Sequence, residues 1–286
     1  MSSPRAILSI QSEVVAGHVG NAAARFALQR LGHEVWAVPT VLLSSHAGHK
    51  GFAGEATSPA LLGKLLDALD AQGRLAEADA VLSGYLGSAE QAPLIATAVS
   101  RAKANARTPL YCLDTAFGDD GRVYAGPGVA DAMRQLLLPL ADIVRGNAFE
   151  IGMLSGVEIV DVDTAIAAAA ALARPIVVVT SVPVEDELGT LLATRDRALL
   201  ATTPRIAAPP HGAGDLFTAL LFGHMVAGAA VDTALQSAVR STYHILARSD
   251  GAPEMALIAE QKALVEPPDL IGFALTNIDL RRRAHG

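Results

Sequence analysis

Cysteine, aromatic side chains and long apolar runs are all scarce in this chain of 286 residues. The single cysteine, Cys112, excludes an internal disulfide framework and suits a reducing compartment. Aromatics make up 4% of residues against 51% apolar overall, so the core must be built mainly from Ala, Val, Leu and Ile. The longest nearly apolar stretches, residues 165–173 and 175–179, fall well short of the ~20 residues a membrane span needs. The opening MSSPRAILSI lacks a long apolar run and an A-x-A-like cleavage site, so no signal peptide is expected. Positive charge is also short. The balance of 22 Lys and Arg against 29 Asp and Glu gives a net charge of -7, which opposes broad attraction to nucleic acid or an anionic membrane. It does not forbid a phosphorylated ligand, which needs only a few local donors. No G-x-x-x-x-G-K-[ST] motif occurs, which excludes an ordinary P-loop enzyme. No linker, repeat or low-complexity segment divides the chain. The expectation is one domain over residues 1–286, located in the cytoplasm. The terminal Arg281-Arg282-Arg283 within residues 281–286 reads as a solvated tail rather than a nucleic-acid patch.

What the sequence does contain is a steady alternation of short β-rich runs and longer helical ones. Residues 5–10, 34–41, 80–83, 110–113, 143–144 and 176–180 read as strands. Residues 19–31, 59–71, 90–104 and 164–173 read as helices, the second opened by Ser58-Pro59 as an N-cap and first-turn proline. This alternation predicts an α/β fold with a mostly parallel central sheet covered by helices on both faces. Beyond Thr180 the rhythm changes. Residues 189–194 and 198–202 read as a hairpin, and the chain from residue 212 to about 265 reads as helical. In such sheets ligands gather where the carboxyl ends of strands meet the following loops, so each site motif should follow a strand or open a helix.

Four places meet that condition. The first is His211-Gly212-Ala213-Gly214-Asp215-Leu216-Phe217, where small residues precede a clear helix. Unpaired N–H groups at a helix start form an anion hole, aided by the helix dipole. A carboxylate at Asp215 could take a proton from a hydroxyl attacking a phosphoryl group there, or could simply cap the helix. The second is Asn147 with Glu150, three residues apart after a strand. They could hold water around Mg²⁺, which takes few direct protein ligands, or could form a capping pair. The third is Asp114 at a strand's end, placed to act on nucleotide phosphates through the metal, whereas Asp119-Asp120-Gly121 is more simply a turn. The fourth is the loop Ser12 to Asn21, mostly apolar with one hydroxyl at Ser12, which suits a flat heteroaromatic ligand or is a satisfied loop serine.

In order along nearly the whole chain, IQSEVVAGHVGNAAARFALQRLGHEVW, TVLLSSH, VLSGYLGSAEQ, ADIVRGNAFE, VVVTS, GAGDLFTALL and LIAEQKAL resemble the ribokinase-like superfamily, and within it the bacterial pyridoxal kinases. The first block and VLSGYLGSAEQ are specific to that branch, whereas GAGD belongs to the superfamily. The resemblance implies a three-layer ribokinase-like fold and ATP- and Mg²⁺-dependent phosphorylation of the 5′-hydroxymethyl group of pyridoxal, pyridoxamine or pyridoxine, by a homodimer. It implies that Asp215 is the base, with the amides of Gly212, Ala213 and Gly214 holding the transferring phosphoryl group. Asn147, Glu150 and Asp114 would organise Mg²⁺. Asp114, Arg145, Glu150, Thr180, Ser181, Gly212 and Gly214 would form the ATP site. Ser12 would bond the pyridine ring, with Val19, Thr40, His46 and Tyr85 lining the vitamer pocket.

Besides the lid segment around residues 49–54, two segments on the nucleotide side depart from the family pattern. This chain reads Asp114-Thr115-Ala116-Phe117-Gly118 where Asp-Pro-Val-Met-Gly is usual, and Arg145-Gly146-Asn147 where Thr-Pro-Asn is common. Arg145 is expected as a surface cation that strengthens nucleotide binding. The competing readings are a hydroxymethylpyrimidine kinase, and a catalytically weakened vitamer-binding protein that kept the pocket while its nucleotide side decayed.

Overall fold

A computed structural model describes residues 4–280 of the chain, and Arg281 to Arg283 lie outside the described residues. The first half runs β1 (Ala6–Val14), α1 (Asn21–Arg30), β2 (Glu34–Leu43), β3 (Gly54–Ala56), α2 (Pro59–Ala71), α3 (Arg74–Glu77), β4 (Ala80–Ser83), α4 (Gln91–Lys103) and β5 (Leu110–Asp114). A small hairpin of β6 (Gly118–Asp119) and β7 (Arg122–Val123) follows, then α5 (Val129–Ala132), β8 (Ile143–Asn147), α6 (Ala148–Ser155) and α7 (Val162–Leu172). The remainder is β9 (Ile176–Val184), β10 (Glu187–Thr194), β11 (Arg197–Pro204), α8 (Ala213–Val226), α9 (Val231–Ala247) and β12 (Ala274–Asp279).

Ten strands form one sheet in the order β12-β11-β10-β9-β8-β5-β4-β1-β2-β3. The six from β9 to β2 are mutually parallel. The pairs β9–β10, β10–β11, β11–β12 and β2–β3 are antiparallel and extend the sheet at its two edges. Period-two alternation sends successive strand residues to opposite faces. Ile7, Ala80, Cys112, Ile143 and Val178 pack with α1, α8 and α9 on one face. Leu8, Val81, Leu113, Val144 and Val179 pack with α2, α4, α6 and α7 on the other. Burial on both faces explains why these strands read as short continuous apolar runs. The α1 helix turns Ala23, Ala24, Ala27 and Leu28 inward, and its three alanines let it lie close to the sheet and to α8.

The element predictions hold for the parallel strands and their crossovers, and Ser58 accepts a hydrogen bond from the Leu61 N–H ahead of Pro59 as expected. Three readings are corrected. The region from residue 212 to 265 is two helices broken at Gly228, followed by irregular chain and a single short turn over Gln261–Leu264. Apolar residues continue past Ala247, but Gly251-Ala252-Pro253 cannot carry a helix onward. Strand β12 was not read from the sequence because it is half-exposed and pairs only with the outer hairpin. Strand β3 was missed for the same reason, being three exposed residues on an edge. No helix among the described residues is long and apolar enough to cross a membrane.

Candidate active site

All six parallel strands end at the same side of the sheet, and the N-terminus of α8 arrives there from above. Ser12, expected in a loop, lies on β1, which continues to Val14, and the loop that follows brings Gly20 back beside it: a side chain at Gly20 would collide with the Ser12 hydroxyl and carbonyl. The Gly20 N–H also donates to the Asp215 carboxylate. Ser12 and Asp215, 203 positions apart in sequence, are therefore joined through one backbone unit. Val19 is almost fully buried in the same loop.

Helix α8 starts at Ala213, with Gly212 at its N-cap in a left-handed conformation (φ +93°). Asp215 is thus the third residue of the helix and not its cap, which corrects the capping reading. The residue is partly exposed, yet burial of its carboxylate is the leading influence on it and Asp114 adds repulsion. Against the Gly20 N–H and Arg145, these push its pKa up to about 6. A carboxylate held that close to neutrality accepts a proton far more readily than an ordinary Asp. The first amides of α8 have no partners within the helix and face the same space.

Arg145, expected at the surface, is 8% exposed. Its Nη1 donates to Asp114 Oδ1 at 2.9 Å and its Nη2 to Thr180 Oγ1 at 2.9 Å. The other carboxylate oxygen of Asp114 accepts from Thr218 Oγ1 at 2.7 Å. A methyl group on Gly214 would meet Arg145 Nη1 at 2.7 Å, so the guanidinium lies directly against the first turn of α8. Burial opposes its charge, but Asp114, Glu150 and Asp215 outweigh that and hold its pKa above the ordinary value.

Asn147 and Glu150 form a complete capping box at the start of α6. Glu150 accepts from Thr115 Oγ1, Phe117 N, Gly118 N and Asn147 N, at distances from 2.6 to 3.1 Å. Asn147 Oδ1 accepts from the Glu150 N–H and its Nδ2 donates to Gly118 O and Asp119 Oδ1. The two departures from the family pattern meet here. A side chain on Gly146 would strike Thr115 Oγ1, so Gly146 makes room for the hydroxyl that bonds Glu150. Direct ligation of Mg²⁺ by Asp114, Asn147 and Glu150 does not fit this arrangement. Both lone-pair positions on each Glu150 oxygen are occupied, Asn147 Oδ1 is taken, and Asp114 already faces a fixed cation. No cluster of His, Cys, Asp or Glu among the described residues is otherwise placed to hold a metal.

Ser181 is exposed and sits at φ +60°, a left-handed conformation uncommon for a non-glycine residue, next to an irregularity in the β9–β10 pairing. Such bulges re-aim a side chain, here in the middle of β9 beside the Asn147–Thr180 pair. Thr40 is corrected from a pocket-lining role. It is fully buried, its hydroxyl donating to the Tyr85 carbonyl at 2.6 Å, so it holds the Tyr85 loop rather than offering a polar group to a ligand. Gln91 completes that clamp, donating to the Thr40 and Thr57 carbonyls and accepting from the Gly87 N–H.

His46 stacks on His211 with ring centroids 3.8 Å apart. Burial, then His211 and His49, pull its pKa down to about 4, so the ring is neutral at ordinary pH. His49 Nδ1 is 3.7 Å from Glu254 Oε1, and Glu254 Oε2 accepts the His18 N–H at 3.2 Å. Loops after β1, after β2, before α8 and after α9 are thereby drawn together over one mouth. Tyr124 stacks beside Tyr85 at 6.2 Å, and burial, with the nearby Glu150, Asp215 and Asp114, raises its pKa. Tyr124, Thr218 and Glu254 were not singled out from the sequence, and Gly20 and His211 stood inside quoted motifs with no role of their own. Only Thr218 carried a legible signal, lying one helical turn beyond Asp215 on the same face.

With the geometry in place, comparison with known proteins narrows the identity. A family model described as phosphomethylpyrimidine kinase matches residues 56–254. A pyridoxal kinase of Rubrobacter xylanophilus is 40% identical over 92% of this chain and 94% of its own length. One of Deinococcus radiodurans is 38% identical over 96% of this chain and 97% of its own. Among solved structures, a pyridoxal kinase from Leishmania donovani in complex with ADP and pyridoxamine is 28% identical. It superposes with a TM-score of 0.89, covering 96% of this chain and 99% of that one. On this agreement of sequence, fold and cleft, the chain belongs to the pyridoxal kinase family, with the ribokinase-like architecture.

Proposed function

We propose that the protein transfers the γ-phosphoryl group of ATP to the 5′-hydroxymethyl oxygen of a B6 vitamer, pyridoxal first among them. The observation that carries this reading is Asp215, a carboxylate tuned to about 6 on the first turn of α8. It lies beside unpaired amides on one side and is joined through Gly20 to Ser12 on the other.

In the reaction, Asp215 accepts the proton of the 5′-hydroxyl as its oxygen forms a bond to the γ-phosphorus. The bond from that phosphorus to the bridging oxygen breaks, and ADP leaves with the electron pair. The amides of Gly212, Ala213 and Gly214 hold the equatorial oxygens, and Arg145 balances negative charge behind them. Catalysis of this kind rests on positioning and charge stabilisation, which agrees with so few reactive side chains. Ser181 and Thr180 flank the nucleotide in this reading, and Ser12, Val19, His46 and Tyr85 surround the vitamer. Mg²⁺ belongs to the reading as an ion carried on the nucleotide phosphates. The free edge at β3, with exposed Leu61 and Leu65 on the adjoining α2, supports a homodimer. A reducing cytoplasm agrees with the one buried free thiol at Cys112.

The departures at Thr115 and Arg145 had motivated a decayed nucleotide side. Their integration into one buried network, with hydrogen bonds to Glu150 and Asp114, supports a working site instead.

The test is ATP consumption with pyridoxal, pyridoxamine, pyridoxine and hydroxymethylpyrimidine, alongside calorimetric titration of the same compounds. Ser12→Ala should weaken pyridoxal binding roughly tenfold, about 1.4 kcal/mol, and leave ATP affinity alone. Consumption driven only by the pyrimidine would overturn the substrate assignment in favour of the activity that names the matching family model. Vitamer binding without any ATP consumption would support the weakened binding protein.

A further inference from the structure

We infer that Arg145 is the resident counter-charge of the phosphoryl-transfer site and a positioning residue for the first turn of α8. The protein without nucleotide therefore offers no divalent-cation site at Asp114. The inference deepens the kinase reading and rests on it for the identity of the reaction, but not for its own test.

Three observations carry it. The guanidinium is buried and bonded at both ends, to Asp114 at the end of β5 and to Thr180 on β9. It also packs against Gly214 and lies 5.8 Å from the Phe217 ring centroid, while Thr218 ties the same Asp114 carboxylate to α8. The strand ends and the helix that presents Asp215 are thus fastened through one ion pair. Second, Asp114, Glu150 and Asp215 all act on Arg145 as stabilising negative charges. Three carboxylates around one cleft would otherwise repel each other and any incoming phosphate. Third, its Nε is buried with no hydrogen-bond partner, an unsatisfied donor inside the polar network. Such a group is retained at a cost, which a purely structural arginine has no reason to carry.

A fixed cation at this place has a consequence for metal binding. A divalent ion approaching Asp114 would meet a guanidinium already 2.9 Å from one oxygen and a hydroxyl on the other. Like-charge repulsion in a poorly solvated site disfavours it strongly. The ion should enter only on nucleotide phosphates.

Mn²⁺ tests this, since free Mn²⁺ gives an electron paramagnetic resonance signal that binding removes. Nucleotide-free wild-type protein should leave the signal undiminished up to about 1 mM, near the weak end of oxygen-ligand cation sites. Arg145→Met should acquire one Mn²⁺ site, with Kd on the order of 10⁻⁴–10⁻³ M, that Arg145→Met combined with Asp114→Asn lacks. Arg145→Lys, which keeps the charge, should bind none. Loss of one partner of a buried pair can unfold a protein, so the wild type and Asp114→Asn alone also decide the matter. A submillimolar Mn²⁺ site in the wild type that Asp114→Asn abolishes would overturn the inference, as would an Arg145→Met protein that folds and binds no Mn²⁺. Because no nucleotide or vitamer is present, these outcomes are independent of whether the vitamer assay succeeds.

Discussion

Asp215→Asn should fold, bind pyridoxal and lose ~10²–10⁴-fold of its turnover, the usual contribution of a general base. The amide keeps the shape of the carboxylate and can still accept the Gly20 N–H, but it cannot take up the hydroxyl proton. The pH dependence follows from the same group. With its pKa pushed up to about 6, chiefly by burial and then by Asp114, wild-type kcat/KM should fall below that pH as the base becomes protonated. The variant's residual activity should lack this limb. The sign for stability runs the other way. A carboxyl whose folded pKa lies above its unfolded value binds more protons when folded, so its ionisation removes stability as pH rises from about 4 through about 6. Asp215→Asn should consequently melt no lower than wild type at pH 7. Near-normal kcat in the variant would remove Asp215 from the chemistry. Lost turnover with a collapsed melting temperature would assign it a structural role.

Gly212→Ala should produce a large loss of stability at the site, together with loss of turnover. Gly212 adopts φ +93°, where an L side chain is strained, and a methyl there would collide with the His18 carbonyl and come within 2.9 Å of Met255 Cε. Strain at a left-handed position costs ~1–3 kcal/mol and forced overpacking a further ~1–3 kcal/mol. The sum, roughly 2–6 kcal/mol, is a large part of the ~5–15 kcal/mol that holds a typical fold. Relief can come only by shifting the loop after β1 or the first turn of α8, and either movement misplaces the Gly20 N–H that holds Asp215 or the first amides of α8. Gly228 supplies the control, since it has φ +90° with no atom near its would-be methyl. Gly228→Ala should show the strain without the collision and leave kcat unchanged. Urea midpoints for both variants measure the difference. Equal losses would show that the approach of His18 contributes nothing.

Much of this molecule was legible before its structure. Ala80 to Ser83 and the helix behind Ser58-Pro59 follow from apolar runs and turn chemistry that act within a few residues. Asp215, Asn147, Glu150 and Asp114 were visible as carboxylates and amides at element boundaries, and each does lie at the carboxyl end of the sheet or at the start of a helix. Local pattern could not distinguish a capping pair from a metal pair at Asn147 and Glu150. The choice depends on Thr115, Phe117 and Gly118 filling the Glu150 oxygens from another strand end.

The sequence by itself determined the alternating elements, the parallel sheet they must form and the end of that sheet where the candidate site gathers. Those properties arise from periodicity and local turn geometry, which short stretches of chain encode. Only the tertiary structure decided that Arg145 is a buried partner of Asp114 rather than a surface cation, that Thr40 supports Tyr85 from behind, and that His46 stacks on His211. Each depends on residues 31, 45 and 165 positions apart meeting in a medium of low polarity. There a charge must find its partner, and a hydroxyl its acceptor, wherever the fold happens to bring one.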